Sequence, residues 1–283
     1  MKNNIKSFFK DKKKRKWIFI SIILSILLIA CDMRLKTIYY YLDSEKISAP
    51  VTIALVSDLH ADWYGRNQKT LMNAIDEASP DIVLLGGDIF DDEKSYKNAK
   101  VFLKEVTSKY TCYYVTGNHE YWSKDIDNII DIVESYGVTV LSGECDEIQV
   151  NGQSINICGV DDPDVRVYVK GSESTDTQLK NLSDKTNFDK YTILLSHRPE
   201  LFHRYQQYDY DLVLCGHAHG GQWRLPGILN GLYAPDQGIF PKYAGGRYDY
   251  HGGTMIVSRG LARESTPVPR IFNRPELVII ELK

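Results

Sequence analysis

The sequence predicts an α/β fold in one domain over residues 51–283, preceded by a short apolar segment. Three observations support this prediction. Buried-strand patterns alternate with helical patterns from residue 51 to residue 136. Short strands joined by turns follow residue 137, and no later block is large enough to form a second core. A lone apolar segment directly follows a basic block near the N-terminus.

The N-terminus has the pattern of a targeting segment. Residues 1–16 form a basic region with a net charge of +7, which we expect in the cytoplasm. Residues 17–31, WIFISIILSILLIAC, carry no charge, but as a helix they reach only about 22 Å of a ~30 Å hydrocarbon core. Two interpretations stay open: a transmembrane anchor, or a lipoprotein signal in which LIAC ends at a lipidated Cys31. Either places the domain on the extracytoplasmic side of the cell membrane.

The remaining elements follow in order along the chain. Residues 32–50 read as a connector in which TIYYYL is a candidate edge strand. We then expect strands at 51–57, 81–86 and 111–117, each followed by a helix, at 67–78, 93–108 and 123–136. Asn151-Gly152 predicts a hairpin turn among the later short strands. Cys112, Cys158 and Cys215 lie in or beside apolar strands, which favours buried thiols and predicts no disulfide framework.

The charge distribution restricts the partners. Because residues 1–16 carry +7 of an overall net charge of −3, the rest of the chain carries −10. An acidic body without basic stretches interleaved with aromatics argues against nucleic-acid binding. The partner that we expect from this distribution is the membrane, through the basic N-terminus.

Polar side chains follow five successive predicted strands. The motifs are SDLH, GGDIFD, GNHE, SH and GHAH, and a histidine in one of them alone would more often be an ordinary hydrogen-bonded residue. A two-residue spacing on an extended chain can direct two side chains to the same face. The seven candidate ligands are Asp58, His60, Asp88, Asn118, His197, His217 and His219.

This ligand set offers nitrogen and oxygen without thiolate, which suits Mn, Fe, Zn or Co. Seven ligands are too many for one ion and suit two divalent ions bridged by a carboxylate. Asp88 follows a central strand and is the natural bridge.

The motifs DxH, GDxxD, GNHE, SH and GHxH, in this order over residues 58–219, resemble the calcineurin-like metallophosphoesterase family. The resemblance implies a β-sandwich of two sheets flanked by helices. It implies that His119 is the unliganded histidine near the leaving group. By its chemistry His119 can act as the catalytic acid, which Glu120 could orient. Two interpretations of Asp91 stay open: it supports a ligand by a hydrogen bond, or it caps the helix that follows it. The resemblance implies one metal held by Asp58, His60, Asp88 and His219, and another held by Asp88, Asn118, His197 and His217.

The later motifs GHAHGGQWRLP, VSRGLA and NRPELVIIEL resemble the membrane-associated bacterial branch of that family, which includes enzymes that cleave UDP-2,3-diacylglucosamine. We therefore expect a membrane-tethered phosphohydrolase that cleaves phosphodiester or pyrophosphate bonds with a metal-activated hydroxide. The partner that this activity implies is a phosphorylated small-molecule or lipid-linked substrate. The alternatives are a metal-dependent nuclease and a non-catalytic binding module of the cell envelope. Residues 220–250 have no sustained strand or helix period and are rich in Gly, Pro and aromatics, which predicts a substrate-binding flap.

Overall fold

The computed structural model describes residues 12–263 and 269–283. The helices among them are α1 (Lys12–Ala30), α2 (Lys69–Ala78), α3 (Lys97–Thr107), α4 (Asn118–Trp122), α5 (Ile126–Ser135), α6 (Val165–Tyr168), α7 (Thr175–Lys185) and α8 (Phe202–Tyr205). The strands are β1 (Lys36–Leu42), β2 (Val51–Val56), β3 (Ile82–Gly86), β4 (Thr111–Val115), β5 (Thr139–Val140), β6 (Glu144–Val150), β7 (Gln153–Gly159), β8 (Tyr191–Leu195), β9 (Leu212–Cys215), β10 (Tyr233–Ala234), β11 (Gly238–Ile239), β12 (Gly246–Tyr250), β13 (Gly253–Val257) and β14 (Glu276–Leu282).

The strands form two six-stranded sheets and one small hairpin. The first sheet has the order β1-β14-β2-β3-β4-β5, and the second has the order β12-β13-β9-β8-β7-β6. The central pairs β2–β3, β3–β4 and β8–β9 are parallel. The carboxyl ends of parallel neighbours meet at one edge of a sheet, so these pairs decide where the strand-end motifs gather.

Strand periodicity explains the packing of the two sheets into a sandwich. On β2, Ile53 and Leu55 pack between the sheets, together with Ile193 and Leu195 of β8. The alternate residues of the same strand face the other way and pack against α2, α3 and α5. Successive side chains of a strand point to opposite faces, so a continuous apolar run covers both faces of a buried sheet. The predicted two-sheet sandwich flanked by helices is confirmed.

Two expectations for the periphery change. Residues 36–42 form β1, which pairs in parallel with β14 at the edge of the first sheet and confirms the edge strand predicted at TIYYYL. This part of the predicted connector therefore belongs to the domain. Cys145 and Cys158 form a disulfide across the antiparallel pair β6–β7, so the prediction of free thiols was wrong for Cys158. The two residues are direct cross-strand partners, and this register was not available from cysteine spacing alone.

The apolar N-terminal segment does form a helix, α1. Its first five residues are basic, which leaves fourteen uncharged residues at 17–30. These would rise only about 21 Å, against a ~30 Å hydrocarbon core. Within residues 12–263 and 269–283, no helix combines the length and the apolarity needed to cross a bilayer. The predicted transmembrane anchor over 17–31 is therefore not found, and residues 1–11 of the basic region lie outside the described residues.

Candidate metal centre

The motifs that follow β2, β3, β4, β8 and β9 converge on one end of the sandwich. All seven residues predicted as ligands are buried there, each with at most 4% of its surface exposed. They come from both sheets, so the site lies where the carboxyl ends of the two parallel regions meet. This is the edge at which α/β proteins usually place their ligands.

One group of ligand atoms comes from Asp58, His60, Asp88 and His219, and these atoms all lie within 4.8 Å of one another. His60 Nε2 is 3.6 Å from Asp88 Oδ2, and His219 Nε2 is 3.7 Å from Asp58 Oδ1. These separations exceed a hydrogen bond and leave room for an ion between the atoms.

A second group comes from Asp88, His197 and His217, again within 4.8 Å. His197 Nε2 approaches Asp88 Oδ2 to 3.1 Å. The buried amide of Asn118 begins α4 directly after β4. Asp88 is common to both groups, and only its Oδ2 is free, because Oδ1 accepts a hydrogen bond of 2.9 Å from the backbone N–H of His119.

The hydrogen bonding of these residues leaves a specific set of atoms unsatisfied. Five of the seven predicted ligands have a buried side-chain atom without a hydrogen-bond partner in the part of the chain that the structure describes. They are Asp58 Oδ2, His60 Nε2, Asp88 Oδ2, Asn118 Oδ1 and His197 Nε2. A buried unsatisfied polar atom costs about 1–3 kcal/mol, so five at one place need a compensating group. A metal cation bound by these oxygens and imidazole nitrogens would satisfy this set of atoms.

The local backbone differs from the extended strands assumed from the sequence. β2 ends at Val56 and β9 ends at Cys215, so both histidine-containing pairs lie on turns. The φ angles of Asp58, His60, Asp88, His217 and His219 are all positive, between 44° and 65°. Left-handed turns, and not the two-residue strand period, therefore direct these side chains to the site.

Two glycines allow the loops to approach one another. A Cβ on Gly87, whose φ is +85°, would lie 2.6 Å from Nδ1 of His197. A Cβ on Gly117 would lie 2.2 Å from Oδ1 of Asp88. Any larger residue would displace a ligand, which gives the glycines of GGD and GNH a steric role.

Carboxylates and carbonyls orient the ligand histidines. His60 Nδ1 bonds Asp91 Oδ2 at 3.0 Å, while Asp91 Oδ1 accepts the backbone N–H groups of Glu93 and Lys94, each at 3.0 Å. Asp91 therefore supports a ligand and also caps its own turn. Burial alone would raise the pKa of Asp91, but the hydrogen bond with His60, the charge of that imidazole, the backbone N–H of Glu93 and the charge of Lys94 together outweigh burial and lower the pKa to about 2. His197 Nδ1 bonds the carbonyl of Gly86 at 2.7 Å, which leaves Nε2 facing Asp88.

Glu120 does not orient His119, as the sequence suggested. Its carboxylate accepts the backbone N–H groups of Asp88, Phe90 and Gly117 at 2.8–3.0 Å, and so holds two of the loops together. Burial, followed by the nearby Asp88, raises the pKa of Glu120.

The partner of His119 is Asp92, whose Oδ1 lies 2.6 Å from Nδ1 of the imidazole. The same ring packs 4.7 Å from Trp122 and meets the edge of His60 at 4.3 Å. Sequence reasoning missed Asp92, although its place beside Asp91 in GDIFDD was a visible signal.

Asp236 is a second residue that the sequence did not indicate. It belongs to the predicted flap, and its Oδ2 lies 3.0 Å from His217 Nε2 and also pairs with Nη1 of Arg198. Arg198 is buried and bonded to Asp162, with Nη2 at 2.9 Å from Oδ1. No sequence spacing relates Asp236 to His217, because the contact forms when the loop folds back.

The flap itself is ordered around a short hairpin formed by β10 and β11. Its exposed large apolar side chains are Trp223, Leu225, Ile228, Tyr233, Ile239 and Phe240. Leu229 and Leu232 of the same loop are partly buried. These exposed apolar side chains therefore lie on the loop that directly follows the candidate ligand His219.

Comparisons with known proteins agree with this geometry. A family model described as calcineurin-like phosphoesterase matches residues 51–221. The chain is 32% identical over 256 residues to an uncharacterized metallophosphoesterase of Aquifex aeolicus, covering 86% of this chain and 90% of that protein. It is also 32% identical over 243 residues to a Bos taurus protein described as a transmembrane protein with metallophosphoesterase domain, covering 82% of this chain and 52% of that protein.

Among solved structures, the NAD nucleotidase of Haemophilus influenzae aligns with a TM-score of 0.50 at 17% identity. The alignment covers 76% of this chain and 45% of that chain. At this identity the likeness shows the shared fold alone.

Proposed function

The chain belongs to the calcineurin-like phosphoesterase family and is a metal-dependent phosphoester hydrolase, and from this premise we propose that it holds two divalent ions and cleaves phosphodiester or pyrophosphate bonds. Its substrate is a phosphorylated small molecule or a lipid-linked phosphoester, and its domain lies on the extracytoplasmic side of the membrane.

The observation that carries the two-ion proposal is the position of Asp88. Its carboxylate belongs to both groups of ligand atoms, and its one unsatisfied oxygen faces both. Asp58, His60 and His219 complete the first set, and Asn118, His197 and His217 complete the second. Mn, Fe, Zn and Co all suit these nitrogen and oxygen donors.

When bound, two such ions neutralise phosphate charge and lower the pKa of water enough to give a nucleophile near neutral pH. The protein supplies the rest of the chemistry. His119 contacts the site through the edge of His60 but is absent from the two ligand groups that share Asp88, so its Nε2 is available to protonate a departing oxygen. Asp92 accepts a hydrogen bond from Nδ1 of His119. This bond fixes the orientation of the imidazole, and with it the position of Nε2.

The flap supports a substrate with an apolar part. Ile228, Ile239 and Phe240 are 86%, 69% and 67% exposed, although they lie in the loop that leaves directly from His219. Burying such side chains against an acyl chain would gain about 25 cal/mol per Å2 of apolar surface. Small aryl phosphodiesters would not use this surface.

Two features support a location outside the cytoplasm, at the membrane. The Cys145–Cys158 disulfide is typical of oxidising compartments. Helix α1 exposes apolar side chains along its length and ends beside the flap. The carbonyl of Ala30 accepts from Phe272 at 2.7 Å, and the neighbouring carbonyl of Ile271 accepts from Arg224 at 2.9 Å. A bovine relative is described as a transmembrane protein, which is in keeping with this proposal.

Metal content and activity of Asp88→Ala test the two-ion proposal. We expect the wild-type chain to bind two Mn2+ per chain and to hydrolyse bis-p-nitrophenyl phosphate. Asp88→Ala should lose both ions and nearly all activity, because the shared ligand is gone. The matched control is Asp249→Ala, because Asp249 lies on β12, away from the candidate ligands. Elemental analysis after dialysis measures the ions, and an Asp88→Ala protein that retains two of them would refute the assignment.

Fractionation of cells tests the location. We expect the wild-type chain in the membrane fraction, with the domain accessible to protease from outside. If Cys31 carries a lipid, Cys31→Ser will lower the mass of the protein and release it from the membrane. Unchanged mass and retention would refute the lipoprotein route, and wild-type protein in the cytosolic fraction would refute the membrane location altogether.

A further inference from the structure

The flap reaches the candidate metal centre through a single turn. β10 and β11 pair Tyr233 with Ile239, and Asp236 occupies the turn between them with a φ of +57°. The side chain of Gln237 bonds both backbone groups of Tyr243, at 2.9 and 3.1 Å. Leu232 donates to the carbonyl of Gly221 at 2.9 Å. The hairpin is therefore fixed at its base by Leu232 and in its turn by Gln237, and Asp236 in the same turn reaches the ligands.

The turn of this hairpin contacts a candidate metal ligand directly. Asp236 Oδ2 lies 3.0 Å from Nε2 of His217. The side chain of Asp236 is 54% exposed, whereas that of His217 is 2% exposed, so the bond joins a solvent-facing loop to a buried imidazole. Arg198 lies 3.1 Å from the same nitrogen and also pairs with Asp236. A guanidinium has no acceptor, so of these two neighbours only Asp236 can accept a proton from Nε2.

The tautomer of His217 follows from this contact. A neutral imidazole carries one N–H. If Nε2 holds the proton and donates it to Asp236, the lone pair that can bind a cation is on Nδ1. His217 belongs both to the group with Asp88 and His197 and to a group with Glu200 and Asp236, so its imidazole lies beside the candidate metal ligands and beside the flap.

We infer that Asp236 is a positioning residue that fixes the tautomer and ring orientation of His217 for one of the two metal sites, and that through this bond closure of the flap and occupancy of that site favour each other. The inference rests on the proposed two-ion function. Carboxylates that accept the second N–H of a metal-binding histidine typically contribute 10- to 100-fold to metal affinity. Because coupling between two sites is reciprocal, an ion at His217 should hold the hairpin down as strongly as the hairpin favours the ion.

The structure also changes how the flap can be probed. Shortening the loop between Gly227 and Gly238 would remove Asp236 together with the apolar surface. Metal affinity and substrate affinity would then change together, and the two roles could not be separated. Single substitutions of Asp236 separate them.

The test compares Asp236→Ala, Asp236→Asn and Asp236→Glu with the control Asp249→Asn in the full chain. Asp249 lies on β12 and bonds Arg247 at 2.7 Å and Thr254 at 2.7 Å, away from His217. Equilibrium dialysis with Mn2+ alone measures the affinity of each ion. We expect Asp236→Ala and Asp236→Asn to weaken one of the two ions 10- to 100-fold and to leave the other unchanged. Asp236→Glu should restore part of the loss, and Asp249→Asn should behave as wild type.

A second readout follows the flap directly. Lys242 is exposed near the base of the hairpin, so trypsin reports how firmly the loop is docked. Mn2+ should slow cleavage there in the wild-type chain and in Asp249→Asn, but not in Asp236→Ala. Circular dichroism confirms that each variant is folded before it is compared.

The outcomes separate the two proposals. If the wild-type chain binds a single ion, the two-ion function fails, and the inference fails with it. If the wild-type chain binds two ions and Asp236→Ala binds both with unchanged affinity and unchanged trypsin protection, the two-ion function stands and the role of Asp236 is refuted.

Discussion

At the scale of single residues, the candidate ligands occupy conformations that the chain adopts at a cost. Asp58, His60, Asp88, His217 and His219 all have positive φ, and a non-glycine residue in this region costs of order 1–3 kcal/mol. Buried atoms without partners add to that cost at the same place. Contacts elsewhere in the fold must therefore hold these loops in place. The carboxylate of Glu120 supplies three of these contacts by accepting hydrogen bonds from three backbone N–H groups.

The His119–Asp92 pair gives a prediction at this scale. If His119 protonates the leaving oxygen, His119→Ala will lower kcat by about 100- to 10,000-fold for poor leaving groups and much less for p-nitrophenol. Asp92→Asn should show the same dependence with a smaller loss, because the imidazole remains but is no longer held by a carboxylate. A series of aryl phosphodiesters of different leaving-group pKa measures the effect, with bound metal determined in parallel.

Asp76→Asn, which removes a surface pair with Lys109, is the control for that series. A loss of equal size on all leaving groups, with metal content intact, would show that His119 does not act on the departing oxygen.

At the scale of elements, the flap combines two functions on opposite sides of one hairpin. Asp236 at the tip faces the ligands, while Ile239 and the adjacent Phe240 are exposed on the loop. An element that exposes apolar surface beside a site is a candidate for binding the apolar part of a substrate. Its order comes from contacts with the body, including the pairing of Trp223 with Ile271.

Polar substitution of this surface gives the second prediction. The triple variant Ile228→Ser, Ile239→Ser and Phe240→Ser keeps Asp236, so both ions should remain. We expect KM for an acylated phosphoester to rise at least tenfold, because the acyl contact is lost, while KM for bis-p-nitrophenyl phosphate stays within twofold. The control is Tyr39→Ser, an exposed aromatic on the edge strand β1. Equal changes in KM on both substrates would mean that the loop is only scaffolding.

At the scale of the whole molecule, the sandwich places every candidate ligand at one end, while the disulfide lies at the edge of the second sheet, on the face that packs against α7. β6 is the edge strand of that sheet, and Cys145 joins it to Cys158 on β7. An edge strand is hydrogen-bonded on one side only, and the disulfide adds a covalent bond across that single pairing.

The disulfide gives the third prediction. Cys145→Ser with Cys158→Ser should lower the free energy of unfolding by about 2–4 kcal/mol, because the unfolded chain regains the freedom of that loop. Bound metal and kcat should be unchanged, since the candidate ligands lie elsewhere. Urea unfolding measures the change, and dithiothreitol should shift the wild-type midpoint but not that of the double variant. A wild-type midpoint that ignores the reductant would refute a stabilising disulfide.

The sequence by itself determined the α/β class, the strands that precede the motifs and the identity of the seven candidate ligands. It could do so because apolar runs and strand-end motifs are local in the chain, and their chemistry does not depend on register. The tertiary structure decided what depends on contacts between distant segments. Asp92 meets His119 and Asp236 meets His217 only after loops fold back. By contrast, Cys145 meets Cys158 through the register that the predicted Asn151-Gly152 turn sets, so this pairing was implicit in the sequence. Turns with positive φ, and not the strand period, direct the ligands, since a few strained residues can be held only by the packing around them.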